Sequence, residues 1–340
     1  MFSAASPSCL VVVLGGLGLN NFEMDNILSS AQNSTWGLAL MAADQVAASQ
    51  HYPVAALYVV ATPIGNLADI SLRALHVLQL ADTLACEDTR HTQSMLRVMG
   101  IDKPSAHLLA VHQHNEAQAA QEVVARLRQG QRVAYVSDAG TPGICDPGAR
   151  LVATVQKAKL PVIPLPGASS VTALVSAAGV VAIGPQSNGF VFCGFLPNKT
   201  VERNLAVQKL AAEPRCVVLL EAPHRIETTA SSLAILGERP VTVGRELTKQ
   251  FEEIATVPAS TLAAWFGADA NRVRGEFALV IHPAEQIDSG ELDLRVLKLL
   301  LAELPLKTAV KVAADITGQG KNALYAAALA MHHADQDNID

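Results

Sequence analysis

The segment YVSDAGTPGICDPG (135–148) gathers residue types that bind ligands. A strand-like run ends in Asp138, placed to accept hydrogen bonds, and Gly140 and Gly143 let a ligand approach the backbone. TPIGN (62–66) and PLPGASS (164–170) are two more Pro/Gly loops that follow apolar runs. The bland alternatives are a strand end for TPIGN, a long turn with capping carboxylates for 135–148, and for PLPGASS a helix start after an interdomain hinge, with Ser169 or Ser170 as its N-cap. Polar clusters lie nearby. ACEDTRHT (85–92) carries Glu87, Asp88, Arg90 and His91, residues able to move protons or simply to cap a helix. VHQHNE (111–116) sets His112, His114 and Glu116 at period two. That pattern imitates a metal site but lacks the further ligands a closed site needs, so no metal is expected. EAPHR (221–225) and GRELTKQFEE (244–253) each cluster charge after an apolar run.

These segments need elements to hold them. From residue 57 the chain alternates strand and helix patterns, with strands expected at 57–62, 83–86, 107–112, 132–137 and 161–165. Helical stretches fall at 70–80 and 115–129, where Ala119, Ala120, Val123, Val124 and Leu127 share one face. Alternation of this kind implies a mainly parallel sheet with right-handed crossovers. The loops would then converge on its carboxyl edge, where open α/β folds bind ligands. A second lobe follows, with strands expected at CVVLL (216–220), 189–195, 241–246, 253–257 and 277–282, in a mixed sheet. The expected fold class is α/β: two α/β lobes at 55–167 and 168–285, then a helical tail at 286–340. In the tail, two apolar-periodic helices flank Gly318 and Gly320.

Bulk properties narrow the function. The chain has 340 residues, half of them apolar, and a net charge of −6, which excludes a uniformly basic surface. Five scattered cysteines form no C-x-x-C, which fits a reducing cytoplasm. CLVVVLGGLGL (9–19) imitates a signal-peptide core, but no Lys or Arg precedes it and it is too short to span a bilayer. GGLGLN imitates a dinucleotide fingerprint and is read as chance. Residues 1–54 are expected to be a poorly ordered extension, or upstream sequence included by a wrong start. Signatures of P-loop NTPases, serine hydrolases of the G-x-S-x-G type and H-E-x-x-H metalloproteases are missing.

Taken in order, TPIGNL, EDTRHT, HNE, SDAGTP, DPG, PLPG, GFLP (194–197), HR, RELTK and KNALY resemble the ribosomal RNA small-subunit methyltransferase I family. These are cytidine 2′-O-methyltransferases of the tetrapyrrole methylase superfamily, and the resemblance covers roughly residues 55–331. It implies two α/β lobes with S-adenosyl-L-methionine between them, a homodimer, and a cytidine ribose in the decoding region of 16S rRNA (30S subunit) as substrate. It also implies a cytoplasmic protein with no membrane partner. By the same analogy the cofactor would meet Thr62, Pro63, Gly65, Asn66, Asp138, Ala139, Gly140, Thr141, Pro142 and Ile144 from the first lobe. Pro166, Gly167, Ser169 and Ser170 would add a third loop, and Leu220, Glu221, Ala222 and Gly244 the opposite wall.

A methyl sulfonium is already a strong electrophile, so positioning, worth about 7–11 kcal/mol, should outweigh a base worth about 10²–10⁴-fold. Candidates for proton acceptor or ribose orientation are Glu87, Asp88, His114 and Glu116. Arg90, Arg225 and Lys249 are candidates for RNA phosphate, with Lys307, Lys311 and Lys321 in a tail whose outline resembles a helix-turn-helix. The rival readings are methylation of a tetrapyrrole or other small molecule, a noncatalytic RNA-binding or assembly factor, and a hydrolase using His112, His114 and Glu116.

Overall fold

Strand β1 (Leu57–Val60) sits inside a five-stranded sheet with β2 (Thr83–Cys86), β3 (Leu108–Ala110), β4 (Val133–Val136) and β5 (Val162–Leu165), in the order β3-β2-β4-β1-β5. Every pairing is parallel, with Leu57 opposite both Val133 and Val162. Leu57, Val60, Val133 and Val136 are fully buried, as a parallel sheet covered on both faces requires. A computed structural model provides these coordinates and describes residues 36–112, 114–146, 148–182, 187–284 and 294–336. The signal-like and fingerprint-like segments at 9–21 lie outside the described residues.

Parallel strands point one way, so the loops after β1, β2, β4 and β5 all leave the same sheet edge. The crossover after β1 runs toward β2 and the one after β4 runs back toward β5. Right-handed crossovers in these opposite directions lie on opposite faces of the sheet, so a crevice opens at this edge between β1 and β4. Helices α2 (Leu72–Leu80), α3 (Thr89–Val98), α4 (Glu116–Arg128) and α5 (Gly148–Lys157) cover the sheet. The α4 face expected from its periodicity is the buried one: Ala119, Ala120, Val123, Val124 and Leu127 all join the core.

One expectation is corrected. Residues 37–47, assigned to a poorly ordered extension, form helix α1 (Gly37–Ala47), which packs on α2. Ala43 and Ala47 are buried in the first-lobe core, and the Asp44 carboxylate lies 3.0 Å from His76 Nδ1. The helix was hidden because, beside Leu40, its contact face is mostly Ala39, Ala43 and Ala47, which allow close approach but leave little amphipathic signal.

Helix α6 (Ser170–Ala177) leads into the second lobe. There β6 (Phe190–Gly194), β7 (Cys216–Glu221), β8 (Pro240–Arg245), β9 (Glu253–Pro258) and β10 (Phe277–Ile281) form a mixed sheet ordered β6-β7-β10-β8-β9. Only β6 and β7 pair in parallel. Helices α7 (Thr200–Ala211), α8 (Ile226–Leu233) and α9 (Leu262–Gly267) complete the lobe. The tail is three helices, α10 (Leu294–Glu303), α11 (Leu306–Thr317) and α12 (Lys321–Gln336), sharing a core of Leu297, Val310, Ala313 and Leu324. Gly318 closes α11 in the left-handed conformation, φ 71°. Among the described residues no helix is long and apolar enough to cross a membrane.

Candidate active site

Side-chain and backbone hydrogen bonds lace the loops at the sheet edge together. Thr62 and Gly140 form an antiparallel bridge, with N–H to O distances of 3.0 and 3.1 Å. The buried Thr62 hydroxyl donates to the Ser137 carbonyl at 3.2 Å, and Thr141 Oγ1 donates to the Ala168 carbonyl at 3.0 Å. The first, fourth and fifth strand loops are thus one unit. Gly140 sits at φ +81°, where an L side chain is strained, and a Cβ there would also crowd Ile64 Cγ2 at 3.1 Å.

Asp146 anchors the far end of the SDAGTPGICD loop. Its carboxylate accepts the Tyr135 hydroxyl and the N–H groups of Gly143 and Gly148, each at 2.8 Å. Asp146 thus plays the part that the bland reading of this loop gives its carboxylates, capping a long turn. The Tyr135 phenol is pushed far up by burial and by Asp146, so it stays a donor.

The unit faces the second lobe across a cleft of about 320 Å³ lined by Ile64, Ala139, Ser170, Leu220, Glu221, Ala222, Gly244 and Phe277, among others. A connecting hollow of about 220 Å³ runs under Ala139 past Glu87, Asp138, Gly140, Thr141, Ile144 and Ser169. A third space, a groove of about 370 Å³, opens from Pro63, Gly65 and Asp138 toward His91 and Lys249. Most of the expected cofactor residues therefore gather here. Thr62 and Pro142 are buried supports, Asn66 caps a short helical turn by accepting from Ala68 N–H, and Pro166 and Gly167 do not line the cleft. Ser169 occupies the N-cap position of α6 without a side-chain cap bond, so its hydroxyl remains available to the hollow.

Gly244 lets the second-lobe wall pack closely on Leu174 and Leu247. A Cβ there would stand 2.7 Å from Leu174 Cδ1 and 3.1 Å from Leu247 Cδ2. Glu221 is buried at the cleft, bonded to Thr229 Oγ1 at 2.6 Å and 3.2 Å from Arg225 Nε. Arg225 also donates to the Leu196 carbonyl, and its largely buried side chain braces the wall rather than meeting solvent.

The expected proton-handling residues separate in space. Glu87 lines the hollow, and burial, then Asp138 and Asp146, raise its carboxyl. Asp88 caps α3, accepting from the N–H groups of Arg90 and His91, while its own N–H donates to Asp138 Oδ1 at 3.2 Å. A hydrogen bond from Arg90 lowers the Asp88 carboxyl. Arg90 itself is almost fully exposed. His114 and Glu116 do not line the cleft: His114 is exposed, and Glu116 starts α4 with its carboxylate 3.4 Å from Arg150. The His112 and His114 rings stand edge-on, 6.1 Å apart. Among the described residues no cluster of three or more His, Cys, Asp or Glu could hold a metal. Lys249 lies between the carboxylates of Glu246 and Glu276 at 2.8 and 2.9 Å, and Lys307, Lys311 and Lys321 are exposed.

Comparison with known proteins accounts for this architecture. The profile of the tetrapyrrole (corrin/porphyrin) methylases matches residues 56–263, and that of the RsmI C-terminal HTH domain matches residues 287–332. The chain is 48% identical over 277 residues to ribosomal RNA small subunit methyltransferase I of Escherichia coli O157:H7, covering 80% of this chain and 94% of the relative. It is 45% identical over 279 residues to the Pseudomonas aeruginosa protein of the same name, covering 80% and 96%. The solved cobalt precorrin-4 methyltransferase shares the fold, with a TM-score of 0.51 at 19% identity over 67% of this chain and 95% of that one. The chain belongs to the ribosomal RNA small subunit methyltransferase I family of tetrapyrrole methylases.

Proposed function

We propose that this chain transfers a methyl group from S-adenosyl-L-methionine to the ribose 2′-hydroxyl of a cytidine in the 16S rRNA of the small ribosomal subunit. The observation that carries this is the match over 94% of a relative named for small-subunit rRNA methylation. The motif resemblance supplies the 2′-hydroxyl and the cytidine. The same reading takes the protein to be a cytoplasmic homodimer.

The cleft residues fit the cofactor. Ile64, Leu220, Phe277 and Ala278 offer apolar surface to a flat base. Glu87 and Asp138 supply negative potential where a cationic group would sit, and the Ser169 and Ser170 hydroxyls can bond to it. The bound cofactor supplies an electrophilic methyl. The chain's part is to hold the hydroxyl in line, exclude water and accept one proton. The exposed lysines of the helical tail suit RNA phosphate.

Tritiated S-adenosylmethionine, purified protein and small subunits from cells lacking the enzyme test the reading. Label in 16S rRNA is expected. Cofactor binding with label only in an added tetrapyrrole would favour a small-molecule methylase. Binding of the subunit without cofactor binding would favour a noncatalytic factor.

A further inference from the structure

The groove beside the cofactor cleft is built from both lobes. Helix α3 gives it His91, Ser94, Met95 and Val98, and the loop after β8 gives it Lys249. It shares Ile64, Asp138, Ala139 and Glu276 with the cleft and hollow, so anything seated in it lies next to the cofactor. At about 370 Å³ it admits a single nucleoside. Its wall joins half-buried Met95 to Val98, which is 54% exposed, so the groove offers apolar surface for the face of a base. Transfer to a ribose hydroxyl needs the reacting nucleotide held next to the methyl donor, and a groove of this size beside the cleft can seat it.

His91 is the group at the junction. Its Nε2 lies 3.1 Å from the Asp138 carbonyl oxygen. A carbonyl only accepts, so Nε2 carries the hydrogen, and in the neutral ring Nδ1 is left with a free lone pair. The Asp138 backbone that fixes this tautomer also lines the hollow assigned to the cofactor. The carboxylates nearby have other partners or places: Asp138 Oδ1 accepts the Asp88 N–H, Glu276 pairs with Lys249 at 2.9 Å, and Glu87 lines the hollow rather than the groove.

We propose that this groove receives the target nucleotide and that Nδ1 of His91 takes the proton of the attacking hydroxyl. The inference rests on the proposed methyl transfer and adds to it the nucleotide pocket and the base. The hydroxyl oxygen forms a bond to the methyl carbon. The methyl–sulfur bond breaks, and its electron pair stays on sulfur as a neutral thioether. The hydroxyl proton passes to Nδ1, and the exposed imidazolium then releases it to solvent.

Two readouts test this on the full-length protein. The first is kinetic. His91→Gln keeps an N–H able to reach the Asp138 carbonyl but offers no proton acceptor of comparable basicity. It should lower kcat by about 10²–10⁴-fold, with the Kd for S-adenosylhomocysteine and the Tm unchanged, and imidazole should partly restore His91→Ala. The second needs no turnover. Diethyl pyrocarbonate should carbethoxylate His91, and bound small subunits should protect it, as read by peptide mass spectrometry. Wild-type kcat in His91→Gln overturns the base, and unprotected His91 in the subunit complex overturns the pocket. A wild-type protein that binds cofactor but labels no rRNA overturns the underlying function and the inference with it.

Discussion

Asp146→Ala probes the frame of the hollow beneath Ala139 apart from any chemistry there. Three donors lose their acceptor: the Tyr135 hydroxyl and the N–H groups of Gly143 and Gly148. They are not equal. Gly143 is exposed, and water replaces its partner at little cost. Tyr135 is 0% exposed, so its hydroxyl becomes an orphaned buried donor at about 1–3 kcal/mol. The bond to Gly148 adds about 0.5–1.5 kcal/mol, for a total near 2–4 kcal/mol. Tyr135→Phe removes the donor but leaves Asp146 two partners, at about 0.5–1.5 kcal/mol. With Phe at 135, removing Asp146 orphans no hydroxyl. Its cost should then fall by about 1–3 kcal/mol, the coupling a double-mutant cycle measures. Urea midpoints of the four proteins at a common m-value give that term. Additivity within about 0.3–0.5 kcal/mol would refute the claim that Tyr135 and Asp146 hold the loop as a unit.

Other outcomes follow from the same geometry. Glu87 has a raised carboxyl, so the folded chain binds its proton more tightly than the unfolded chain and the ionised group costs stability at neutral pH. Glu87→Gln should therefore raise Tm at pH 7–8 and lose that advantage as pH falls below the unfolded carboxyl pKa of about 4.3; a pH-independent difference would count against the assignment. Deleting residues 1–50 removes α1, with buried Ala43 and Ala47 and the Asp44–His76 contact, and should destabilise the first lobe by about 2–5 kcal/mol in thermal unfolding. Unchanged unfolding would show that α1 is dispensable to the core. Removing residues from 286 onward takes away helices that share their own core, so the Kd for S-adenosylhomocysteine should hold while affinity for small subunits falls. Loss of cofactor binding as well would mean that the tail supports the lobes.

The strands were legible because each is a short apolar run ended by Gly, Pro or a charged residue, as at Val60 before TPIGN and Val136 before SDAGTP. The parallel order explains why loops scattered along the chain meet at one edge. Residues whose role depends on a partner far away in sequence were not legible. His91 sits in the quoted EDTRHT, yet its groove exists only because Lys249 and Glu276 come across from the second lobe. His114 and Glu116 drew attention by local spacing, while the fold turns Glu116 toward Arg150. Glu276 and Phe277 line the cleft from the start of an ordinary apolar strand and carried no signal.

The central claim is that this cleft delivers a methyl group to a ribose oxygen. Alkaline hydrolysis of 16S rRNA labelled by the purified protein tests it most directly, because a 2′-O-methyl group blocks cleavage at its own phosphodiester. Label recovered in one alkali-resistant dinucleotide beginning with cytidine is the predicted result. Label recovered only in mononucleotides would place the methyl on a base and contradict the account.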